Sequence, residues 1–290
     1  MYIQHIVLQI YNLFLDQINI LHQKCSMMQK RDDIQIYELA YNKVNYGLWD
    51  NSLYTPLQCG AASNKVDVCD LKDNTGDNIS DKNFYYSETT GTYWIWKNAP
   101  KTKYIGQCQY RRRLQFDESF NFDAIFNEHK IICNTPMIIG LSLKKQMEKC
   151  HPYINIDVFE SVFNEAQPLY SKAFNEIFNK SNVLFFSSSY ILPYSEYCKY
   201  CNFLFSILNT YAIRMNFFNR GVLKEYISNK LNHYQTIGLR SKPIEYHMLI
   251  GGFLQERIFS VWVLSNFRQS EIFYKDFTFM ENNIRIKTYR

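Results

Sequence analysis

Three consecutive arginines, Arg111, Arg112 and Arg113, follow Tyr110 directly after a short apolar run, Tyr104-Ile105-Gly106-Gln107-Cys108. Guanidinium forks match phosphate oxygens through paired hydrogen bonds, so an anion among them offsets the cost of crowding three like charges. In an open α/β sheet a ligand sits beyond the carboxyl ends of the strands, and this run occupies such a position. Alternation along an extended chain keeps the three from facing one way. One or two are expected toward a ligand, the remainder toward solvent or a carboxylate such as Asp117 or Glu118. The plainer reading is a solvated charge run at a strand end.

Two further segments carry candidate chemistry. Gly76-Asp77-Asn78-Ile79-Ser80 reads as a turn opening a helix: glycine permits a positive φ, Asp or Asn bonds the next backbone, and free N–H groups at a helix start suit an anion. An ordinary turn with an N-cap gives the same pattern. In Gly251-Gly252-Phe253-Leu254-Gln255-Glu256-Arg257, a carboxylate lies within an otherwise apolar helix. There it could orient a sugar hydroxyl or act as a base, or form a structural pair with Arg257. His129, His151 and His247 have no metal-ligand spacing, and the chain lacks a Gly-x-Ser-x-Gly elbow, a Walker loop and a dinucleotide fingerprint. No Asp-x-Asp closes a strand, so the metal expectation is none, with Mn or Mg left open as a cofactor.

The elements that must position these residues can be read coarsely. Ile34–Ala40 predicts a first strand, 42–58 a loop, and 64–71 a short strand with its turn. A helix is expected over 82–98, capped by Ser80 or Asp81 and stopped before Pro100. The strand at 104–108, an apolar run at 130–139, helical sequence over 143–180 and a strand at 182–186 follow. A long aromatic helix is expected over 190–214, then polar sequence over 215–240, a helix at 244–264 and a late strand at 272–279. Strands alternating with helices predict an α/β, Rossmann-type domain with a mostly parallel central sheet flanked by helices.

Composition sets bounds. The chain has 290 residues, 47% hydrophobic, ample for one sizeable core, and only 10 Gly and 7 Pro, which excludes collagenous and linker-rich chains. A net charge of +5 favours phosphates or anionic surfaces but falls short of a nucleic-acid binder. Eight cysteines lie mostly within apolar runs, as expected of reduced thiols in the cytoplasm. Cys198 and Cys201 form one C-x-x-C without further zinc ligands, the pattern of two thiols one helical turn apart. The first 23 residues contain no Lys or Arg and are interrupted by polar residues, unlike a signal peptide or a membrane span. An amphipathic helix fits residues 1–30 as an N-terminal extension, with a single domain over 31–290.

The chain resembles bacterial exopolysaccharide or capsular polysaccharide biosynthesis glycosyltransferases, a family long classed as a domain of unknown function. The resemblance rests on Gln58–Ala61, Gly76–Ser80, Lys82-Asn83, Glu88–Asn98 (ETTGTYWIWKN), Tyr104-Ile105-Gly106 leading to Tyr110-Arg111-Arg112, His151 and Glu256-Arg257, and covers roughly residues 31–270. It implies a GT-A-like nucleotide-sugar transferase in which arginines stand where Asp-x-Asp normally lies. Implied partners are a nucleotide-sugar donor, a UDP-hexose and by family association UDP-galactofuranose, and a lipid-linked glycan acceptor in capsule, exopolysaccharide or O-antigen synthesis. The implied place is the cytoplasm, with peripheral contact at the inner membrane surface and no nucleic acid. Asp77, Asn78, Lys82, Asn83, Tyr110, Arg111 and Arg112 are the implied donor contacts, Glu256 and Gln109 the catalytic candidates, and His151 the acceptor contact. Two departures matter. The family's His before Tyr-Arg-Arg is Gln109, which bonds but carries no proton or charge. A segment usually reading Asn-Met-Phe-Ile-Met is Ser188-Ser189-Tyr190-Ile191-Leu192. Both keep open a rival reading, a non-catalytic nucleotide- or carbohydrate-binding assembly protein.

Overall fold

The computed structural model describes residues 31–42, 53–117, 119–233, 242–281 and 284–288, with side chains placed as far as residue 278. The helix expected before residue 30 lies outside them, as does most of the loop expected after residue 42.

Eleven strands are present among the described residues: β1 (Ile34–Ala40), β2 (Tyr54–Gln58), β3 (Tyr104–Gln109), β4 (Arg112–Leu114), β5 (Ile131–Asn134), β6 (Met137–Ile138), β7 (Val183–Leu184), β8 (Tyr190–Pro193), β9 (Ile272–Lys275), β10 (Phe277–Glu281) and β11 (Ile284–Thr288). The α-helices are α1 (Asn83–Tyr86), α2 (Thr89–Asn98), α3 (Phe122–Glu128), α4 (Leu143–Cys150), α5 (Ile156–Ala166), α6 (Ser171–Lys180), α7 (Tyr194–Arg214), α8 (Arg220–His233), α9 (Ile244–His247) and α10 (Ile250–Asn266).

The central sheet runs β2-β1-β3-β8-β5-β9, and only β8 opposes the direction shared by the rest. This is the expected α/β architecture with a mostly parallel sheet. From the end of β3 the chain turns back through Tyr110-Arg111 into β4, which carries the antiparallel pair β10 and β11. Leu39 pairs with Gln109 and Ala40 with Gln58, so β1, β2 and β3 end along one edge. Their continuous apolar character fits strands covered on both faces. One face packs a large aromatic core under α2, α5–α7 and α10, the other a smaller cluster around Ile36, Tyr54, Cys108 and Phe122. β3 lies close to β8 because Gly106 has no side chain: a Cβ there would stand 2.8 Å from the Tyr190 carbonyl oxygen.

α10 is apolar on nearly all sides and buried along most of its length, as a core helix should be. Gly251 lets it meet the α1–α2 segment; a Cβ at that position would lie 2.9 Å from the Tyr85 carbonyl oxygen.

Several expected boundaries move. The loop over 42–58 ends in β2, while residues 64–71 form no strand, and a single bridge joins Gln58 to Lys72 just after them. The 190–214 helix begins as a strand through Pro193, because a short apolar run has no period that separates a buried strand from a helix. Residues 220–233 of the polar stretch are helical, and the 244–264 helix breaks at Leu249. The 82–98 helix breaks at Ser87, whose φ of 55° no helix accommodates. Ser80 does not cap it: its hydroxyl is buried and bonds Asp73 Oδ1 at 2.5 Å.

Candidate functional site

A cleft of about 970 Å³ lies at the shared carboxyl edge of β1, β2 and β3. Its floor begins with Leu39 and with Gly60, which follows β2 in a left-handed turn, φ 68°. Buried Asp73 fixes that turn by accepting the Gly60 and Ala61 N–H groups at 2.8 and 3.0 Å. A side chain at residue 60 would collide with Asn83, which also lines the cleft. The Gln58–Ala61, Ser80 and Asn83 parts of the sequence pattern thus meet in one scaffold.

The β3–β4 hairpin delivers the arginines. Arg111 and Arg112 line the cleft, and Arg113 does not. Arg113 faces inward and pairs with Glu38 of β1, Nε to Oε1 at 3.1 Å and Nη2 to Oε2 at 2.8 Å. Both side chains are almost fully enclosed, 6% and 1% exposed. Its carboxylate is therefore Glu38 and not Asp117, which bonds the N–H and hydroxyl of Ser119; Glu118 lies outside the described residues. The split follows from strand alternation: neighbouring residues of β4 face opposite sides.

Arg112 lies over the Phe186 ring at 5.0 Å and donates to Gln109 Oε1. Burial pushes its guanidinium below the ordinary arginine value, as does adjacent Arg111, while Glu256 and Glu88 act the other way. It stays charged in a protein regardless. Gln109 Nε2 donates to Glu88 Oε1 at 2.7 Å, so one amide links Arg112 to a carboxylate. Ser87 bonds the other Glu88 oxygen. The left-handed Ser87 that breaks the expected helix also starts the turn that brings Glu88 to the cleft wall.

Glu256 is buried where α10 lines the cleft. Its Oε1 accepts the Ser187 N–H at 3.1 Å and its Oε2 accepts from Arg257 at 2.9 Å. Burial raises its pKa against the lowering effect of Arg257. Ser187 and Ser188 both have positive φ, 69° and 42°. Asparagine tolerates that region better than serine does. His151 lines the cleft beside Arg257, its Nδ1 2.9 Å from the Tyr153 hydroxyl and its ring stacked on Phe253. Burial, then Arg257 and His247, lower its pKa to about 3.

Of the residues singled out in the sequence, the cleft gathers Asn83, Gln109, Tyr110, Arg111, Arg112, His151 and Glu256. Asp77, Asn78 and Lys82 do not line it. The Asp77 N–H and carbonyl bond the Asn98 amide, Asn78 braces its own turn, and the Lys82 amine lies over Phe218 at 5.0 Å. Sequence reasoning missed Glu88, Gln146 and Tyr246; the signal for Glu88 was its place in the ETTGTYWIWKN block. Among the described residues no three carboxylate, imidazole or thiol groups gather to hold a metal ion. No described helix is long and apolar enough to cross a membrane. Cys201 is buried and Cys198 half-buried on α7, both as free thiols.

A mostly parallel sheet whose first three strands end at a cleft lined there by Arg111 and Arg112 defines an α/β protein with a cationic strand edge. Over residues 35–232 the chain matches the family described as a domain of unknown function, DUF4422, and it belongs to that family. Among solved structures it is similar to the apo structure of the WbbM bifunctional glycosyltransferase, with a TM-score of 0.63 and 19% identity. That match covers 86% of this chain and 46% of the other, so the chain spans under half the length of that neighbour. The likeness shows a glycosyltransferase-like fold. No curated protein matches the chain.

Proposed function

We propose that this chain is a glycosyltransferase that moves a sugar from a nucleoside-diphosphate donor, a UDP-hexose in the first instance, to a lipid-linked glycan of a capsule, exopolysaccharide or O-antigen. The observation that carries the reading is the division of the arginine run. Arg113 is committed to Glu38, and Arg111 and Arg112 face the cleft at the end of β3. The nucleoside would lie at the ends of β1 and β2, near Gly60 and Asn83. The diphosphate would lie against Arg111 and Arg112, whose fixed cationic forks stabilise the charge that develops on the leaving group. Tyr110 packs under Arg111, with its ring 5.0 Å from the guanidinium carbon. Asp77, Asn78 and Lys82 would act by supporting the nucleotide end rather than by lining it.

Glu256 would meet the accepting hydroxyl. A carboxylate whose pKa is raised by burial is a better proton acceptor at neutral pH than a solvated one. Gln109 holds Arg112 and does not move a proton. The place of action would be the cytoplasm, at the inner face of the membrane where the lipid-linked acceptor lies, with residues 31–290 as one domain. The experiment is a thermal-shift panel of nucleoside diphosphates and their sugars. A ligand at about 100 times its Kd stabilises by about 2.7 kcal/mol. No shift from any of them, with or without Mn²⁺ or Mg²⁺, would reject the donor site. The rival assembly protein is favoured by Gln109 and Ser188 standing where the family has His and Asn. A donor-hydrolysis assay separates the two, because the rival binds the nucleotide without turning it over.

A further inference from the structure

The cleft has a second end that the donor reading leaves unused. At about 970 Å³ it is at the upper limit for small-molecule sites. Along the part of the cleft lined by α9 and α10, near Glu256, stand three rings. Tyr246 lines the cleft and is 38% exposed, in a chain whose large aromatics are mostly buried. Its ring meets Phe253 edge to face, with centroids 5.3 Å apart. Phe253 in turn stacks on His151 at 4.0 Å and 22°. The Tyr153 hydroxyl fixes the imidazole, and burial holds it neutral at physiological pH. Phe253 and Glu256 are three residues apart on α10 and so share one face, which makes the ring wall continuous with the carboxylate. Gln146 and Glu245 border the wall with polar groups.

The Lys242 amine lies 5.8 Å from the centre of the Tyr246 ring and Arg257 donates to Gln146, so the aromatic wall is edged by amide, carboxylate and cationic groups. Rings with such a polar border complement a pyranose, which has one apolar C–H face and a rim of hydroxyls. We propose that this end of the cleft is a carbohydrate subsite, with Tyr246 as the stacking ring, and that it takes the acceptor sugar whose hydroxyl is presented to Glu256. This deepens the transferase reading and rests on its donor end lying at the arginines. A nucleobase is the competing occupant of an exposed ring. The strand-end rule places the nucleoside at β1 and β2 instead, on the other side of the arginines.

The test uses the whole chain, with Tyr246→Ala and Tyr246→Phe as variants. Methyl glycosides of galactose, glucose and mannose, at up to about 20 mM to reach weak monosaccharide affinities, are followed by saturation-transfer NMR. UDP binding is measured in parallel by calorimetry. The expected result is saturation of one face of at least one glycoside, kept in Tyr246→Phe and reduced at least about fivefold in Tyr246→Ala. UDP affinity should be the same in all three proteins. Unchanged saturation in Tyr246→Ala, or no saturation from any glycoside with the wild-type chain, overturns the subsite. A loss of UDP affinity in Tyr246→Ala with glycoside saturation intact assigns the ring to the base and also overturns it. If UDP binds none of the proteins, the donor reading fails, while the glycoside signal still decides the subsite on its own.

Discussion

Arg113→Ala should unfold the protein more readily without acting on the donor, and Arg112→Ala should do the reverse. The buried pair sets the first magnitude. Glu38 is 1% exposed and takes two bonds from the Arg113 guanidinium, at 3.1 and 2.8 Å. Removing the arginine leaves that carboxylate uncompensated in the interior, at a cost of about 3–5 kcal/mol. Packing is lost as well, since the guanidinium carbon sits 4.7 Å from the centre of the Tyr54 ring. Replacing both members, Glu38→Leu with Arg113→Met, removes charge and desolvation together and should return stability to within about 1 kcal/mol of the wild type. Arg112 donates to the Gln109 amide, a bond whose loss is weaker than that of a buried ion pair, so Arg112→Ala should cost about 1 kcal/mol of stability. Its loss to UDP should be larger, about 1.5–3 kcal/mol for a charge-assisted bond, or a rise in Kd of roughly 10- to 150-fold. Urea denaturation and calorimetric titration of UDP on these variants and on Arg111→Ala measure both quantities. The reasoning is refuted if Arg113→Ala keeps wild-type stability or if the double variant fails to recover it. Equal small effects on UDP from Arg111, Arg112 and Arg113 would return the run to a solvated charge cluster.

Three further outcomes are expected. His151 titrates near 3 in the fold and near 6.5 unfolded, so the unfolded chain binds more protons between those values. Its contribution is complete above pH 6.5 and is lost as pH falls, about 2 kcal/mol by pH 5; urea midpoints at pH 7.5 and 5 should separate less in His151→Phe, and an undiminished separation would count against it. Gly251→Ala would drive a Cβ against the Tyr85 carbonyl and should lower stability by about 1–3 kcal/mol in the same assay. UDP binding should survive EDTA, and turnover should fall by less than about tenfold, because fixed guanidinium groups can take the charge that a divalent ion would take; complete loss restored by Mn²⁺ would show that the arginines are not sufficient.

What the sequence made legible was what neighbouring residues decide among themselves. β3 is a run of buried residues ending in a charge cluster, and both its type and the position of the cluster beyond its carboxyl end followed from that. The mostly parallel sheet followed from alternating strands and helices. What stayed hidden depended on segments far apart in the chain. Arg113 finds Glu38 only because the β3–β4 hairpin folds beside β1, 75 residues away in sequence. The donors of the Asp77 turn looked available, but the Asn98 amide 21 residues on takes the Asp77 N–H. Glu88 reaches the cleft because Ser87 adopts a backbone conformation that its own sequence does not favour, and only packing against α10 through Gly251 and Gly252 explains why the break is held there. Tyr246 enters the site from α9, the single turn that packs ahead of α10, and no local period indicates that it faces the cleft. The local signals therefore located the arginine-lined end of the cleft, and tertiary contacts built the end lined by Tyr246 and Phe253. Gln109 sits at the junction of the two parts, because its amide satisfies Glu88 and Arg112 at once. A protonated histidine at that position could donate to Glu88 but could not accept from Arg112, so glutamine makes the hold on the arginine independent of pH.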